Sequence, residues 1–358
     1  MSSDNTQRLN SIPFLRFFAF LNIFLYHSNE FEVFPLPYNA AWAVGFFFVL
    51  SGFLTGFQHD HYEAALSIPS WKQYMIKKIK KVYPFFLITL IMTLPYNNIF
   101  NDLLQFILNL FLLQSWRPEG YFSYNGVSWF LSSILFLYVI TVPLMALQNS
   151  ILNKVRKKNM FLLFETAFFF VIDILWAFFV RSQDMNLEFY TYILPLSRVP
   201  AYICGICLGI LIKNKVTSTP QKPSIPYSIL ELSCFIALFG IFQIDIPEWM
   251  HRSFIWIVPN LIFLTVFALQ KGYLSYLFSR KFPVLLGNIS FECFLLHQVV
   301  LHYYCEGVHY LGRRNYFFND IQKIGSQIFL LILILFLSYV WHSKIAPKIN
   351  CLLNKKNP

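Results

Sequence analysis

The sequence predicts an all-α fold, a polytopic membrane helical bundle of about ten transmembrane helices plus one re-entrant or interfacial helix. Composition is the first reason, because 57% of the 358 residues are hydrophobic and only 13% are charged, about half the charged share of a soluble domain. Apolar segments approaching the roughly 20 residues that cross a lipid core recur along the chain. The basic residues concentrate in alternate loops, as in multi-pass membrane proteins.

The formal net charge of +11 does not indicate a nucleic-acid partner. A nucleic-acid binder carries its basic residues on a water-soluble face, whereas here they lie in short loops between apolar runs. The sequence therefore predicts membrane lipid as a partner and no nucleic acid.

One transmembrane domain is expected over residues 1–343, followed by a short cytoplasmic tail over residues 344–358. The N-terminus lacks the basic start, short apolar run and cleavage site of a signal peptide, so the first span is expected to be retained. Apolar runs and polar breaks place ten spans near residues 12–30, 39–57, 83–100, 128–147, 160–180, 191–212, 227–244, 253–270, 284–304 and 324–343.

The distribution of Lys and Arg predicts that both termini face the cytoplasm. If the ten spans alternate in direction, 20 of the 28 basic residues fall on the side of the termini and 6 fall on the other. Cytoplasmic loops carry the excess of Lys and Arg. The remaining two, Arg16 and Arg198, lie within spans.

The segment DLLQFILNLFLLQSW, residues 102–116, is apolar but too short to cross comfortably. If it crossed, every later loop would change sides, and the basic loop NKVRKKN would face outward. We therefore predict a re-entrant or interfacial helix on the outer side. Irregular backbone at that depth is tolerated only where protein or a water-filled cavity covers it, so this segment indicates a cavity.

Arg16 and His27 stand in the first predicted span, in the stretch FLRFFAFLNIFLYH. Their separation of eleven positions places them about 20° apart around a helix axis and roughly 16 Å apart along it. Both therefore lie on one face, which is expected to line a polar cavity. The alternatives are an arginine that extends to the lipid headgroups and a histidine at the membrane interface.

Other ionisable side chains inside predicted spans are functional candidates. Mutual pairing for structure alone is the alternative, because an opposite charge is available for every basic member. Ser290 and His297 share a helix face, whereas Glu292 points away from both. These candidates are Asp173, Arg198, Glu231, Glu292 and His297.

The basic segment WKQYMIKKIKKVYP precedes the third predicted span, which Pro84 is expected to open. Lys78 and Lys81 lie on adjacent turns of one helical face. They suit a phosphate-rich cytosolic ligand, and the alternative is an anchor for anionic lipid.

No metal site is expected. HDH at residues 59–61 lacks further ligands at informative spacing. Cys204 and Cys207 are spaced C-x-x-C but lie in the apolar run AYICGICLGILI, where packing is the expected role rather than redox or metal chemistry.

Four motifs occur in order over nearly the whole chain. The first is Arg16 followed by ten residues and His27, and the second is GFFFVLSGFL at 45–54. The third combines KKIKKVYP with NGVSWFLSSILFLY, and the fourth is LGNISFECFLLH at 286–297. Together they resemble the acyltransferase-3 family of integral membrane acyltransferases, whose usual ten spans agree with the count above. In the second motif, Gly45, Gly52 and Gly56 are expected to let a neighbouring backbone approach closely.

The resemblance implies that an acyl group, usually acetyl, passes from cytosolic acyl-CoA to a hydroxyl of a cell-surface or lipid-linked glycan at a bacterial inner membrane. His27 is then the base, and Arg16 positions the donor or pairs with a carboxylate. Lys78 and Lys81 meet the phosphates of coenzyme A. They stand where the family carries paired arginines, so the charge is kept and the bidentate fork is lost.

No permanently bound cofactor is implied, since acetyl-CoA acts as the donor substrate. Glu292 and His297 are candidates for binding the acceptor or orienting His27, and Arg198 is a further candidate for substrate binding. Trp129, near the predicted outer boundary, is a candidate for a glycan contact, although tryptophan belts at membrane interfaces are the alternative.

A transporter or flippase for a polar or anionic substrate is the rival function. Ten spans with ionisable interior residues also suit a carrier, but carriers usually show inverted repeats between halves. The sequence has no such repeats, which favours the enzyme. A membrane scaffold without chemistry gives no reason for ionisable residues inside spans.

Overall fold

The computed structural model describes residues 9–28, 38–58, 68–97, 102–216, 222–313 and 319–355. Over these residues the chain forms fourteen α-helices and no strand. The helices are α1 (Ile12–His27), α2 (Ala40–Phe57), α3 (Ile68–Thr93), α4 (Leu103–Leu110), α5 (Trp129–Lys154), α6 (Lys158–Ser182), α7 (Val199–Ile212), α8 (Ile225–Phe242), α9 (Glu248–His251), α10 (Ile257–Ala268), α11 (Tyr273–Phe278), α12 (Lys281–Gly312), α13 (Asp320–Val340) and α14 (Ala346–Lys355).

The predicted fold class is confirmed. In the part of the chain that the structure describes, eight helical segments are long and apolar enough to cross a membrane, and two shorter apolar helices, Ile12–His27 and Phe254–Ala268, occupy the other two predicted spans. At about 1.5 Å per residue, the 16 residues of α1 extend roughly 24 Å, less than a lipid core of about 30 Å. Surrounding helices, rather than lipid, cover α1.

The helices form an inner and an outer layer. The most apolar windows of α2 and of the segment Pro195–Lys215 are 67% and 72% buried, whereas those of α6 and α8 are only 17% and 11% buried. The outer helices direct large apolar side chains outward, as a lipid-facing surface requires. Examples are Phe164 and Phe168 on α6, Ile229 and Ile236 on α8, and Phe329 and Phe336 on α13.

Glycines of α2 allow its backbone to lie in direct contact with the backbone of α7. A Cβ atom added at Gly52 of α2 would lie 1.9 Å from the carbonyl oxygen of Tyr202 in α7, and one at Gly56 would lie 2.1 Å from that of Ile206. The expectation for these two glycines is confirmed. Gly45 is different, because its nearest neighbours are side-chain atoms of Asn260 and Trp256 at 3.4 and 3.5 Å.

Helices α1 and α12 run side by side in the same direction. A Cβ atom at Gly287 would lie 1.9 Å from the carbonyl oxygen of Pro13, so a larger residue would force the two helices apart. Arg16 contacts Asn288, and His27 contacts His297, so the two contacts join residues that are almost equally far apart in the sequence. Such a pattern is that of two parallel helices. Because α1 is the first span, a parallel α12 must also be an odd-numbered span. The count gives α12 an odd number only if α4 does not cross.

Helix α4 has its polar side toward the protein and its apolar side outward. Leu103 and Leu104 are exposed, whereas Gln105 and Asn109 are buried. The Gln105 Nε2 donates to the carbonyl oxygen of Gly120 at 2.6 Å, and the Asn109 Nδ2 donates to the Ser123 hydroxyl at 2.8 Å. Its 8 residues extend about 12 Å and do not cross. This amphipathic arrangement favours the interfacial form of the prediction.

The prediction that Pro84 opens the third span is wrong. Pro84 lies inside α3, which runs without interruption from Ile68 to Thr93. A proline removes one helical hydrogen bond and crowds the carbonyl of residue i−4, but α3 is helical on both sides of Pro84. The basic segment therefore belongs to the same helix as the third span.

The start of the sixth predicted span is broken. A π-helical turn at Glu188–Ile193 and a 3₁₀ turn at Pro195–Arg198 precede α7. Similar 3₁₀ turns, Gly126–Ser128 and Phe254–Trp256, precede α5 and α10. Irregular backbone at membrane depth is tolerated where it lines a cavity, and residues of Glu188–Ile193 and of Gly126–Ser128 do so.

Candidate functional site

Two cavities adjoin along the α1–α12 contact. The first, here called the His27 cavity, has a volume of about 390 Å³ and is lined by His27 together with Trp129, Tyr192 and Gln298. The second, here called the Arg16 cavity, has a volume of about 180 Å³ and is lined by Arg16, Lys78 and Lys81. Phe294 of α12 belongs to both linings. The helix that carries both predicted residues therefore contributes one of them to each cavity.

The His27 ring is held by a directed chain of hydrogen bonds. The Nδ1 atom of His297 lies 2.6 Å from the carbonyl oxygen of Phe294, which can only accept, so this nitrogen carries a proton. The Nε2 atom of neutral His297 is then an acceptor, and the Nδ1–H of His27 donates to it across 2.8 Å. In this tautomer His27 Nε2 carries a lone pair, in a ring that lines the cavity.

Apolar packing fixes the two imidazole rings. Their centroids lie 5.1 Å apart at an interplanar angle of 20°, and His297 is fully buried beneath the rings of Phe20 and Phe294. Gly287 keeps α1 and α12 close at Pro13, and the two histidines lie at hydrogen-bond distance further along the same contact. Neighbouring helix faces thus preorganise His27.

The Arg16 cavity gathers three cations. The Lys78 Nζ lies over the rings of Tyr138 and Tyr74, at 4.3 and 5.2 Å from the centroids, and Lys81 lines the same cavity. Arg16 makes one long contact, from Nη2 to the Asn288 Oδ1 at 3.4 Å, while its buried Nε has no hydrogen-bond partner among the described residues. Such a concentration of positive charge suits an anionic ligand.

Glu292 lies at the Arg16 end of the contact rather than beside His27. Its Oε1 atom accepts from His342 Nδ1 at 3.1 Å, and its charge acts on Arg16 and Lys81. The other oxygen, Oε2, is buried and has no partner within the described part of the chain. Glu292 therefore balances part of the positive charge of this end, and His297, not Glu292, is the partner of His27.

Arg198 lies behind the wall of the His27 cavity. Its Nε and Nη2 donate to the carbonyl oxygen of Tyr192 at 2.8 and 2.5 Å, and Nη2 reaches the carbonyl oxygen of Arg252 at 3.4 Å. Tyr192 and Arg252 both line the cavity, as does Trp129, whose ring centroid lies 5.0 Å from that of Tyr192. Arg198 thus positions lining residues, while Trp129 lines the cavity directly.

The remaining candidates from the sequence have structural partners. Asp173 is buried and lies close enough to Arg198 to attract it. The carboxylate of Glu231 accepts from the backbone N–H groups of Gly272, Leu274 and Ser275 at the start of α11. Asp173 therefore fits the alternative of mutual charge pairing given above, whereas Glu231 holds the start of α11 through backbone groups rather than through an opposite charge.

The cysteine pair is likewise internal. Cys204 and Cys207 are buried in α7, and the thiol of Cys207 donates to Glu165 of α6 at 3.4 Å. The described residues contain no group of three or more His, Cys, Asp and Glu side chains that would hold a metal ion. The HDH sequence at 59–61 lies outside the described residues.

A charged cluster that no sequence pattern indicates lies at the rim of the His27 cavity. Arg252 forms ion pairs with Glu188 and Glu248, and Tyr121 donates to Glu188 at 2.9 Å. Burial and the bond to Glu188 raise the pKa of Tyr121 to about 12. For Arg252, burial opposes a higher pKa, but the carboxylates of Glu248 and Glu188 outweigh it and raise the value.

His251 belongs to the same rim and was also missed. Its Nε2 lies 2.8 Å from the side-chain nitrogen of Asn39, and burial and the neighbouring Arg252 lower its pKa. His251 and the ion-paired residues come from short helical turns and their ends, which carry no motif in the sequence. His342 was detectable, because it is an ionisable residue within the last predicted span.

Comparison with known proteins identifies the family. The acyltransferase-3 family model, described as an acyltransferase domain, matches residues 9–342. No curated protein and no solved structure matches the chain significantly. The match covers nearly all of the chain, including both cavities, and the helical membrane bundle accords with it. The chain belongs to the acyltransferase-3 family and is a multi-pass membrane acyltransferase.

Proposed function

We propose that this protein moves an acyl group, acetyl in the expected case, from cytosolic acyl-CoA to a hydroxyl of a cell-surface or lipid-linked glycan. The observation that carries the proposal is the His297–His27 chain of hydrogen bonds, which leaves a basic nitrogen in one cavity while three cations line the next. A base and an anion-binding site are what acyl transfer from coenzyme A to an alcohol requires.

In the proposed reaction the donor occupies the Arg16 cavity. Lys78 and Lys81 bind phosphates of coenzyme A, and the pantetheine arm extends past Phe294 toward His27. Arg16 orients the donor, and its Nε, which has no partner in the described part of the chain, supplies a hydrogen bond to it. The positive charge of the lining and the shared position of Phe294 support this arrangement.

The acceptor occupies the His27 cavity, where Trp129 contacts it and Arg198 keeps the lining in place. His27 Nε2 takes the hydroxyl proton while the hydroxyl oxygen forms an ester bond to the acyl carbon. The carbon–sulfur bond then breaks, and the departing thiolate receives the proton from His27. His297 accepts from His27 Nδ1 throughout, so the imidazolium keeps its partner. A histidine suits this role because its ordinary pKa lies near neutrality.

We also propose an orientation of the protein in the membrane. If acyl-CoA enters from the cytosol, the Arg16 end faces the cytosol and the His27 end faces outward. The excess of Lys and Arg on the side of the termini supports the same orientation. We place the protein in a bacterial inner membrane, with both termini in the cytoplasm.

The experiment uses the purified full chain, labelled acetyl-CoA and a panel of glycan acceptors. Labelled glycan is expected with the parent protein and not with His27→Ala, while His309→Ala, an exposed position on α12, serves as the matched control. Acetyl-CoA that stays intact with every acceptor, or label transferred equally by His27→Ala, contradicts the proposal.

We propose that the acyl group passes directly from acyl-CoA to the acceptor, without an acyl-enzyme intermediate. Incubation with labelled acetyl-CoA without acceptor, followed by denaturation, tests it. A protein that is free of label supports direct transfer, whereas label retained on the denatured chain indicates an acyl-enzyme intermediate.

A further inference from the structure

A third cavity, here called the His302 cavity, lies beside the His27 cavity. Its volume is about 330 Å³, and it shares Phe122, Gly126 and Gln298 with the His27 cavity. Cavities of this order hold small molecules or single units of larger ones. A ligand whose one unit occupies the His27 cavity has an adjacent space for a second unit.

The lining of the His302 cavity is polar but uncharged. Its described lining residues include no Asp, Glu, Lys or Arg. Aromatic rings alternate with amides and hydroxyls, a combination that offers both flat apolar faces and hydrogen-bonding groups. Among the lining residues are Tyr96, Tyr124, Asn125 and His302.

Two polar atoms of this lining lack partners within the described segments. Asn125 is 1% exposed, and its Nδ2 donates to the carbonyl oxygen of Leu295 at 2.9 Å, but its Oδ1 has no hydrogen-bond partner. The Nε2 atom of His302 is buried and equally unpartnered, while its ring packs against that of Tyr96 in a tilted arrangement, with 3.7 Å between centroids. A buried polar group without a partner is costly, and a ligand bearing hydroxyls would satisfy both atoms.

The backbone at this cavity is also strained. Tyr124 has φ of +59°, a conformation that costs free energy for a residue with a side chain. It is held there while its ring packs against Phe106 and the residue lines the cavity. Strain of this kind persists where surrounding structure enforces it, and binding sites are common locations.

From these observations we propose that the His302 cavity is a second acceptor subsite, which binds an uncharged sugar unit adjacent to the one that receives the acyl group. The inference rests on the proposed function, since it assigns the class of acceptor to the same site. The acceptor is then an oligosaccharide, free or lipid-linked, whose unit next to the acylated sugar is neutral. Asn125 Oδ1 and His302 Nε2 bind its hydroxyls, and the aromatic rings pack on its apolar faces.

The test compares acceptors of different length. The purified protein is supplied with labelled acetyl-CoA and with glucose, galactose and N-acetylglucosamine, each as the monosaccharide and as its disaccharide. The disaccharide of an accepted series is expected to show kcat/KM about tenfold above the monosaccharide, as extra hydrogen bonds and a ring contact would give. His302→Phe keeps the packing on Tyr96 and removes the nitrogen, so it is expected to lower this ratio several-fold.

Two further comparisons keep the result interpretable. Monosaccharide acylation by His302→Phe shows that the variant is folded, and His309→Phe, at an exposed position of the same helix, is expected to keep the parent ratio. Equal kcat/KM for both lengths, or an unchanged ratio in His302→Phe, overturns the second subsite and leaves acyl transfer intact. Absence of label in every sugar contradicts the proposed function and the subsite with it.

Discussion

The two ends of the α1–α12 contact differ in how completely their polar groups are satisfied. At the His27 end, a carbonyl, His297 and His27 form an unbroken chain of hydrogen bonds. At the Arg16 end, Arg16 Nε and Glu292 Oε2 lack partners among the described residues, and the contact of Arg16 with Asn288 is long. A satisfied network fixes geometry, whereas an unsatisfied charged site is completed by its ligand. The contrast indicates a preorganised base at one end and an anion site at the other.

The largest effect is expected at His27. Replacement by alanine removes the proposed base, and a positioned base typically contributes about 10²- to 10⁴-fold in rate. We therefore expect kcat for acyl transfer to fall by at least about 100-fold while the protein still purifies as a folded chain, with His309→Ala at the parent rate. If His27→Ala kept the kcat of the parent, His27 would not be the base, and the contrast between a base at one end and an anion site at the other would not hold.

A smaller loss is expected when the partner of His27 is changed. His297→Phe fills the buried site but offers no acceptor to His27 Nδ1, so the ring is no longer held in one tautomer. Losing a group that orients a histidine costs roughly 10- to 100-fold in metal sites, and a similar fall in kcat is expected, with little change in the KM for acyl-CoA. His297→Gln, which can accept a hydrogen bond, is expected to recover part of the rate. Equal rates in the two variants would show that His297 only packs.

The Arg16 end is expected to respond through binding. Lys78→Ala or Lys81→Ala removes a contact to a charged group, worth about 1.5–3 kcal/mol, so the KM for acyl-CoA should rise about tenfold or more. The value of kcat should change little. Lys77→Ala, an exposed neighbour on α3, is the control.

Acyl-CoA without the 3′-phosphate refines this comparison. The parent should bind it more weakly, and the variant that has lost the contact to that phosphate should show no further loss. A KM for acyl-CoA that is unchanged in both lysine variants would assign the lysines to lipid anchoring instead.

The smallest expected effect concerns pH and stability at the rim. Burial and Arg252 lower the pKa of His251, so the folded protein binds fewer protons at this site than the unfolded chain does. Its contribution to stability is therefore present above the unfolded pKa, near 6.5, and is lost as pH falls below that value. Protonation of His251 at Nε2 would also place a second donor against the amide nitrogen of Asn39 and remove the acceptor that this nitrogen now has.

Thermal unfolding at pH 7.5 and pH 5 measures this contribution. His251→Gln is expected to reduce the fall in Tm between the two pH values, because glutamine does not titrate. An identical fall in Tm for parent and variant would show that the pH dependence arises elsewhere.

The sequence predicts the fold class and the residues of the α1–α12 contact for a clear physical reason. Apolar length and the Lys/Arg bias are one-dimensional signals, and Arg16 and His27 share a face of a single helix. The pairing of His27 with His297 depends on the contact between two helices that are distant in the sequence. Gly287 allows this contact by packing against Pro13, and the sequence alone does not show that the two residues are neighbours. Motif order indicated both histidines, but not that they touch.

Other features lay outside sequence reasoning for different reasons. Pro84 suggested a boundary, yet α3 continues through it, because a proline can be accommodated inside a helix at the loss of one hydrogen bond. Glu231 and Asp173 looked like site residues because burial of an acid is costly, and only the structure supplies their partners. The rim formed by Glu188, Arg252 and His251 comes from two distant short helical turns, where periodicity gives no signal.

The most direct measurement is a structure of the protein bound to a non-hydrolysable acyl-CoA analogue. The account predicts phosphates beside Lys78 and Lys81 and an acyl carbonyl that has passed Phe294 and faces the cavity side of His27, within a few ångströms of Nε2. An analogue seated outside the Arg16 cavity, or one whose carbonyl stays on the far side of Phe294 and beyond reach of His27, would contradict it.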